Sequence, residues 1–176
     1  SSIIKDLALE GKRFALCTLH RAENVDHLKT LKCIVEELIR VSEEFEIVLP
    51  LHPRTKAKLE QFSLLQKLSS KVKLIEPVGF LDVLSLEQAS RIIITDSGGM
   101  QKEAFFHRKP CVTVRSETEW TELLDGGHNR LAKPMMNQIS LKVKEALNAS
   151  LDWSTDLYGD GHSSATIAKA LLKRST

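Results

Sequence analysis

The chain has 176 residues, 42% hydrophobic and 27% charged, which suits one globular domain with a sizeable core and is marginal for two. Its 25 Lys plus Arg against 23 Asp plus Glu leave a net charge of +2, too little to argue for nucleic acid or a membrane surface as partner. No apolar run approaches the ~18 residues of a membrane span and no signal peptide is visible, so a cytoplasmic location is expected. Cys17, Cys33 and Cys111 are odd in number and far apart, in apolar surroundings, and read as reduced core residues rather than disulfides or metal ligands.

In chain order, residues 1–12 read as a linker or helix end feeding the first strand, and the start at Ser1 without Met suggests a domain cut from a longer protein. Phe14 to Thr18 is the first strand candidate. His27 to Glu44 follows as a helix, with Leu28, Leu31, Ile34, Val35, Leu38 and Ile39 on one apolar face. Glu46 to Leu51 is a second strand, stopped at His52-Pro53, and Thr55 to Leu68 is an amphipathic helix. Val72 to Ile75 is a short third strand, and Gly79-Phe80 opens a helix leading towards Arg91.

Arg91 to Thr95 is the fourth strand. Its three consecutive Ile without polar alternation suit a strand covered on both faces, as in a parallel sheet. Asp96 and Ser97 are both good N-cap residues for the helix through Met100 to His107. Cys111 to Arg115 makes a fifth strand. Glu117 to Leu124 is a short helix stopped by Gly126-Gly127, and Asn129 to Ala132 is a last short strand. Ile139 to Leu147 and Thr166 to Leu172 close the chain, the final helix falling within residues 162–176.

This alternation predicts an α/β fold: a doubly wound, mainly parallel six-stranded sheet, Rossmann-like, in a single domain spanning residues 1–176. With the strand order 3-2-1-4-5-6, the topological switch lies between the first and fourth strands. The loop after the first carries Leu19 to Asn24 and the loop after the fourth carries Asp96 to Gly99, so two polar loops should meet at one crevice.

Gly98 and Gly99, with the Ser97 hydroxyl, suit a phosphate or diphosphate at a helix N-terminus; a tight turn without ligand is the plainer reading of the same residues. Glu103, in the second helical turn, could accept both hydroxyls of a ribose. His20 and Arg21 could neutralise phosphate charge, and His20 could also transfer a proton. Arg115 could reach a phosphate or sugar, or merely pair with Glu117 or Glu119. No third ligand accompanies His20 and His52 at metal-like spacing, so no metal is expected. Gly-x-Gly-x-x-Gly is absent after the first strand, which argues against a dinucleotide cofactor; no cofactor is expected.

Thr18-Leu-His-Arg-Ala-Glu-Asn24, Pro50-Leu-His-Pro53, Thr95-Asp-Ser-Gly-Gly-Met-Gln-Lys-Glu-Ala104, Lys109-Pro110, Arg115-x-x-Thr-Glu119 and Tyr158-Gly-Asp-Gly161 occur in the order found in the non-hydrolysing UDP-N-acetylglucosamine 2-epimerases. Over nearly its whole length the chain resembles the C-terminal half of such an enzyme, which has the two-domain GT-B architecture. The resemblance implies UDP and a UDP-sugar as ligands, a missing N-terminal domain holding the acid–base carboxylates, a homodimer when full length, and a place in cell-surface polysaccharide biosynthesis. It further implies that His20 is catalytic, that Ser97, Gly98, Gly99, Arg115 and His20 hold the diphosphate, and that Glu103 holds the ribose. Phe80, Leu81 and Val83 would border the uracil, and Arg21, Glu23, Thr118 and Glu119 would contact or support the sugar.

In that family UDP departs as the C2 proton is removed, giving a 2-acetamidoglucal, and adds back with protonation on the opposite face. The chain alone should bind UDP without catalysis. Trp120-Thr121 stands where the best-known members have Arg-Pro, and Glu-Trp here resembles a subgroup acting on modified sugars, including diacetamido uronic acids. A donor-binding domain of a GT-B glycosyltransferase is the competing expectation. A receiver module ranks lower, because Asp96 is followed by Ser-Gly-Gly rather than acidic companions.

Overall fold

A computed structural model describes residues 1–174. The strands are β1 (Phe14–Thr18), β2 (Glu46–Pro50), β3 (Lys73–Ile75), β4 (Ile92–Thr95), β5 (Cys111–Thr113) and β6 (Asn129–Leu131). They pair in parallel in the order β3-β2-β1-β4-β5-β6, the doubly wound order expected from the sequence. The helices are α1 (Ile3–Asp6), α2 (Ala22–Val25), α3 (Leu28–Ser42), α4 (Pro53–Gln61), α5 (Leu65–Ser69), α6 (Phe80–Ala89), α7 (Gly98–Phe106), α8 (Thr121–Asp125), α9 (Gln138–Asn148) and α10 (Ser163–Arg174). The closing helix expected within residues 162–176 is α10; Ser175 and Thr176 lie outside the described residues.

Strand residues alternate between two cores, because successive side chains on a strand point to opposite faces. Ala15, Cys17, Ile47, Leu49, Ile92, Ile94 and Val112 pack with Leu31, Ile34, Val35, Leu38 and Val41 of α3 and with Ile139, Val143 and Ala146 of α9. Phe14, Leu16, Val48, Ile93 and Cys111 face the other way, towards Leu86 of α6 and Met100 and Ala104 of α7. The Ile92-Ile93-Ile94 run is therefore buried from both sides, each residue contributing on the order of 1.5–3 kcal/mol of burial energy.

Several boundaries differ from the pattern in the sequence. The stretch read as a linker or helix end holds α1, with Ile3, Ile4 and Leu7 packed against the second core, where α1 meets α6. The helix expected over Thr55 to Leu68 is two helices, because Ser63 adopts a left-handed φ of 57° and Leu64 N–H closes the break onto the Leu59 carbonyl at 2.8 Å. α8 begins at Thr121 rather than Glu117. The Thr118 hydroxyl donates to Gln101 at 2.6 Å and accepts from Trp120 N–H at 3.2 Å, which pulls the segment out of helical conformation.

Candidate functional site

β1 and β4 are neighbours in register, and the chain leaves both at the same end of the sheet. Thr18 and Thr95 face each other there with hydroxyls 2.6 Å apart, and the Thr95 hydroxyl also accepts the Ser97 N–H at 3.0 Å. Beyond them Asp96 is fully buried. Its carboxylate accepts the backbone N–H of His20 at 3.1 Å, that of Arg21 at 2.9 Å and the Asn24 amide at 3.1 Å, and it faces His20 Nδ1 at 3.3 Å. Asn24 also donates to the Val114 carbonyl at 2.9 Å, so one carboxylate ties the ends of β1, β4 and β5 together.

This hub sets the side chains that follow. His20, with Nδ1 turned to Asp96, is left with Nε2 for the half-exposed side of the ring. Arg21 donates from Nε to the Asp96 carbonyl at 2.6 Å, and its Nη2 reaches to within 3.8 Å of where a Cβ on Gly98 would stand. A fixed guanidinium thus lies beside the N-terminus of α7. Ser97 caps that helix by accepting the Met100 N–H at 3.5 Å, leaving the Gly98 and Gly99 N–H groups without intrahelical acceptors. The two glycines differ. A Cβ on Gly98 would fall 2.4 Å from Glu119 Oε1, whereas around Gly99 there is open space.

The crevice above these loops has a volume of about 200 Å³ and is lined by Thr18, Leu19, His20, Pro50, His52, Pro77, Val78, Val83, Ser97 and Met100. A larger groove of about 360 Å³ runs beside Arg40, Glu44 and Lys144, where α3 turns into β2 at the amino ends of the strands. The smaller crevice is the better ligand site, since open α/β sheets bind at the carboxyl ends, at the switch point.

The structure brings His20, Arg21, Ser97, Gly98 and Gly99 together, with Val83 across the crevice. Phe80 and Leu81 are exposed on the first turn of α6. Glu103 lies one turn beyond Met100 on α7, beside Glu87 and His107. Arg115 is engaged by Glu119 at 2.8 Å and by Glu23 at 3.9 Å. Arg115 and Glu119's own backbone N–H hold the Glu119 carboxyl below the usual carboxylate range, the backbone contact being the larger effect. Thr118 supports the site from behind: its acceptor Gln101 donates to the Ser97 carbonyl at 3.2 Å and is held by Asn129 at 2.9 Å. His20 and His52 have ring centroids 5.8 Å apart, and among the described residues no cluster of three metal-ligating side chains forms.

Sequence reasoning weighed Asp96 only as a cap or a receiver acid and Trp120 only as a subgroup marker, and it missed the bonds that Asn24, Gln101 and Trp120 make here. Trp120 donates from Nε1 to the Gly98 carbonyl at 2.9 Å, bracing the first turn of α7 from the side opposite the N–H groups. The available signal was Asp96 itself, an acid directly after a strand buried on both faces, where a charge survives only if donors surround it.

The fold and crevice define a Rossmann-like α/β domain with an anion-ready helix N-terminus at its topological switch point. The chain belongs to the UDP-N-acetylglucosamine 2-epimerase family, whose model matches residues 1–172. It is similar to the UDP-2,3-diacetamido-2,3-dideoxy-D-glucuronate 2-epimerase of Pseudomonas aeruginosa, at 45% identity over 161 residues, covering 91% of this chain and 44% of that protein. It is similar to the UDP-N-acetylglucosamine 2-epimerase of Methanococcus maripaludis, at 41% over 167 residues, covering 93% and 45%. The crystal structure of the Methanocaldococcus jannaschii UDP-GlcNAc 2-epimerase in complex with UDP-GlcNAc and UDP superposes with a TM-score of 0.87 and 38% identity, covering 98% of this chain and 49% of that one. The chain thus spans about half the length of these relatives.

Proposed function

We propose that this chain is the UDP-binding half of a GT-B-type UDP-acetamido-sugar 2-epimerase. The observation that carries the reading is the Arg21 guanidinium, anchored by Asp96, beside the uncapped N–H groups of Gly98 and Gly99 with open space over Gly99. Those groups take the diphosphate, Glu103 takes the ribose hydroxyls, and the uracil lies by the start of α6 near Val83. Arg115 joins the diphosphate by exchanging its Glu23 contact for a phosphate oxygen, and Glu119 supports the sugar side. The partners are UDP, a UDP-sugar, a further domain supplying the acid–base carboxylates, and a second copy of the full-length protein.

The chemistry follows from where charge develops. As the C2 proton leaves, the C1–O bond breaks, its electrons depart with UDP, and the C2–H pair forms the C1–C2 double bond of the glycal. Helix N–H groups and Arg21 stabilise the departing diphosphate more than the bound substrate, which lowers the barrier. His20, oriented through Nδ1, presents Nε2 to the leaving oxygen and the sugar. Re-addition of UDP and protonation on the opposite face complete the inversion.

A second reading concerns the sugar. Trp120 stands against Gly98 in the first turn of α7, and the 45% identity is to a diacetamido-uronate epimerase; both favour a substrate with a second acetamido group and a carboxylate. The intact protein incubated in D2O with UDP-N-acetylglucosamine, and separately with the diacetamido uronate nucleotide, decides between them by NMR. Deuterium at C2 of one sugar, with its epimer appearing, identifies the substrate. Exchange at neither would overturn the epimerase reading.

A further inference from the structure

Glu87 on α6 is fully buried, and neither of its oxygens accepts a hydrogen bond. The group within hydrogen-bonding reach is the Glu103 carboxylate on α7, and His107 Nε2 stands 3.4 Å away. The placement follows from helix periodicity. Val83 and Met100 line the crevice from α6 and α7, and Glu87 and Glu103 lie one turn further along each helix. Two facing carboxyl groups in the core cannot both be ionised. They are stable together when one keeps its proton and gives it to the other as a short, charge-assisted hydrogen bond.

We propose that Glu87 is the positioning residue for Glu103: as the buried neutral acid it donates its proton to the Glu103 carboxylate, fixing that side chain and leaving its remaining lone pairs for a vicinal diol. Glu103, the less buried of the two, carries the charge. Burial first, and then the Glu103 charge, push the Glu87 carboxyl up to about 8. The other groups facing it agree with a neutral acid. Burial holds His107 below its ordinary value, so it supplies no cation, and Cys111 on β5 is pushed up to about 12, mainly by burial. Lys109, past the end of α7, is held below its ordinary value by burial and then by Arg91.

The inference rests on the reading of Glu103 as the ribose ligand, and the experiment separates the two. The intact protein is titrated calorimetrically with UDP and with 2′-deoxy-UDP. Wild type is expected to prefer UDP, and Glu103→Ala to erase the preference. A preference surviving Glu103→Ala would overturn the ribose reading and this inference with it. If Glu103→Ala behaves as expected, Glu87→Leu should cost about tenfold in UDP affinity and less with 2′-deoxy-UDP. An unchanged preference in Glu87→Leu, beside a lost one in Glu103→Ala, would reduce Glu87 to a packing residue. Glu87→Gln carries the test independently, because its amide donates at every pH. Wild-type affinity should decline as pH rises from roughly 7 to 9 while the Gln variant stays flat, and equal declines in both would overturn the role.

Discussion

Asp96 and Glu87 are both fully buried acids within reach of α7, and the fold treats them in opposite ways. Asp96 is surrounded by donors from His20 and Arg21 of the β1–α2 loop and from Asn24 of α2, which is where the chain must be held still to present His20 and Arg21. Glu87 meets no donor, only a second carboxyl group and an uncharged imidazole. The first is a carboxylate whose charge organises backbone; the second is an acid whose proton organises another side chain. Burial of an acid therefore does not by itself identify its role; the count of donors around it does.

The largest effect expected from breaking this contrast is at Asp96. Asp96→Ala leaves two backbone N–H groups and one hydrogen of the Asn24 amide without an acceptor, and should cost about 3 kcal/mol or more in urea denaturation. Asp96→Asn keeps one acceptor and should lose less. A loss below about 1 kcal/mol in Asp96→Ala would mean that the loop holds its shape without the carboxylate.

Glu87 should show the opposite pH signature. The folded protein holds a proton there that the unfolded chain releases near the ordinary 4.5, so this group's stabilisation is complete at low pH and is lost as pH rises towards about 8. His107 works the other way below its ordinary 6.5, because its folded value is lowered. The difference in melting temperature between wild type and Glu87→Gln, followed from roughly pH 6.5 to 8.5, removes that contribution. Wild type should lose a few degrees more than the variant over this range. Parallel curves would mean that Glu87 is ionised throughout and the contrast with Asp96 is false.

Much of this was legible in the sequence because its determinants are local. The Ile92-Ile93-Ile94 run implied a strand covered on both faces, and the two polar loops after β1 and β4 implied a crevice once the strand order was assumed. The break at Ser63 was not legible, since the apolar spacing of Leu59, Phe62, Leu65 and Leu68 continues through it and only backbone closure from Leu64 to Leu59 reveals it. Nor were the Asp96 hub and the Glu87–Glu103 pair. Asp96 and Asn24 are 72 residues apart, and no periodicity reports a donor arriving from that distance. Glu87, a charged residue between the buried Leu86 and the exposed Gln88, reads as surface until α7 is laid beside it.

The smallest and most discriminating effect separates the two glycines that the sequence presents as equivalent. Gly98 is filled from within the protein. A methyl group there meets Glu119 Oε1 at 2.4 Å, and because that carboxylate is the end of a flexible side chain it can swing away, giving up its 2.8 Å pairing with Arg115. Gly98→Ala should therefore be nearly neutral for stability, the helix preference of alanine offsetting a lost exposed ion pair, each worth about 1 kcal/mol or less. Gly99 faces open space, so Gly99→Ala should raise stability by up to about 1 kcal/mol. If the space over Gly99 is where a diphosphate lies, that same variant must bind UDP more weakly than Gly98→Ala, because its methyl group occupies the approach to the helix N–H groups. A Gly99→Ala protein that is both more stable and undiminished in calorimetric UDP affinity would place the anion elsewhere along the crevice. Greater stability with weaker binding is the signature of a residue kept small for a ligand.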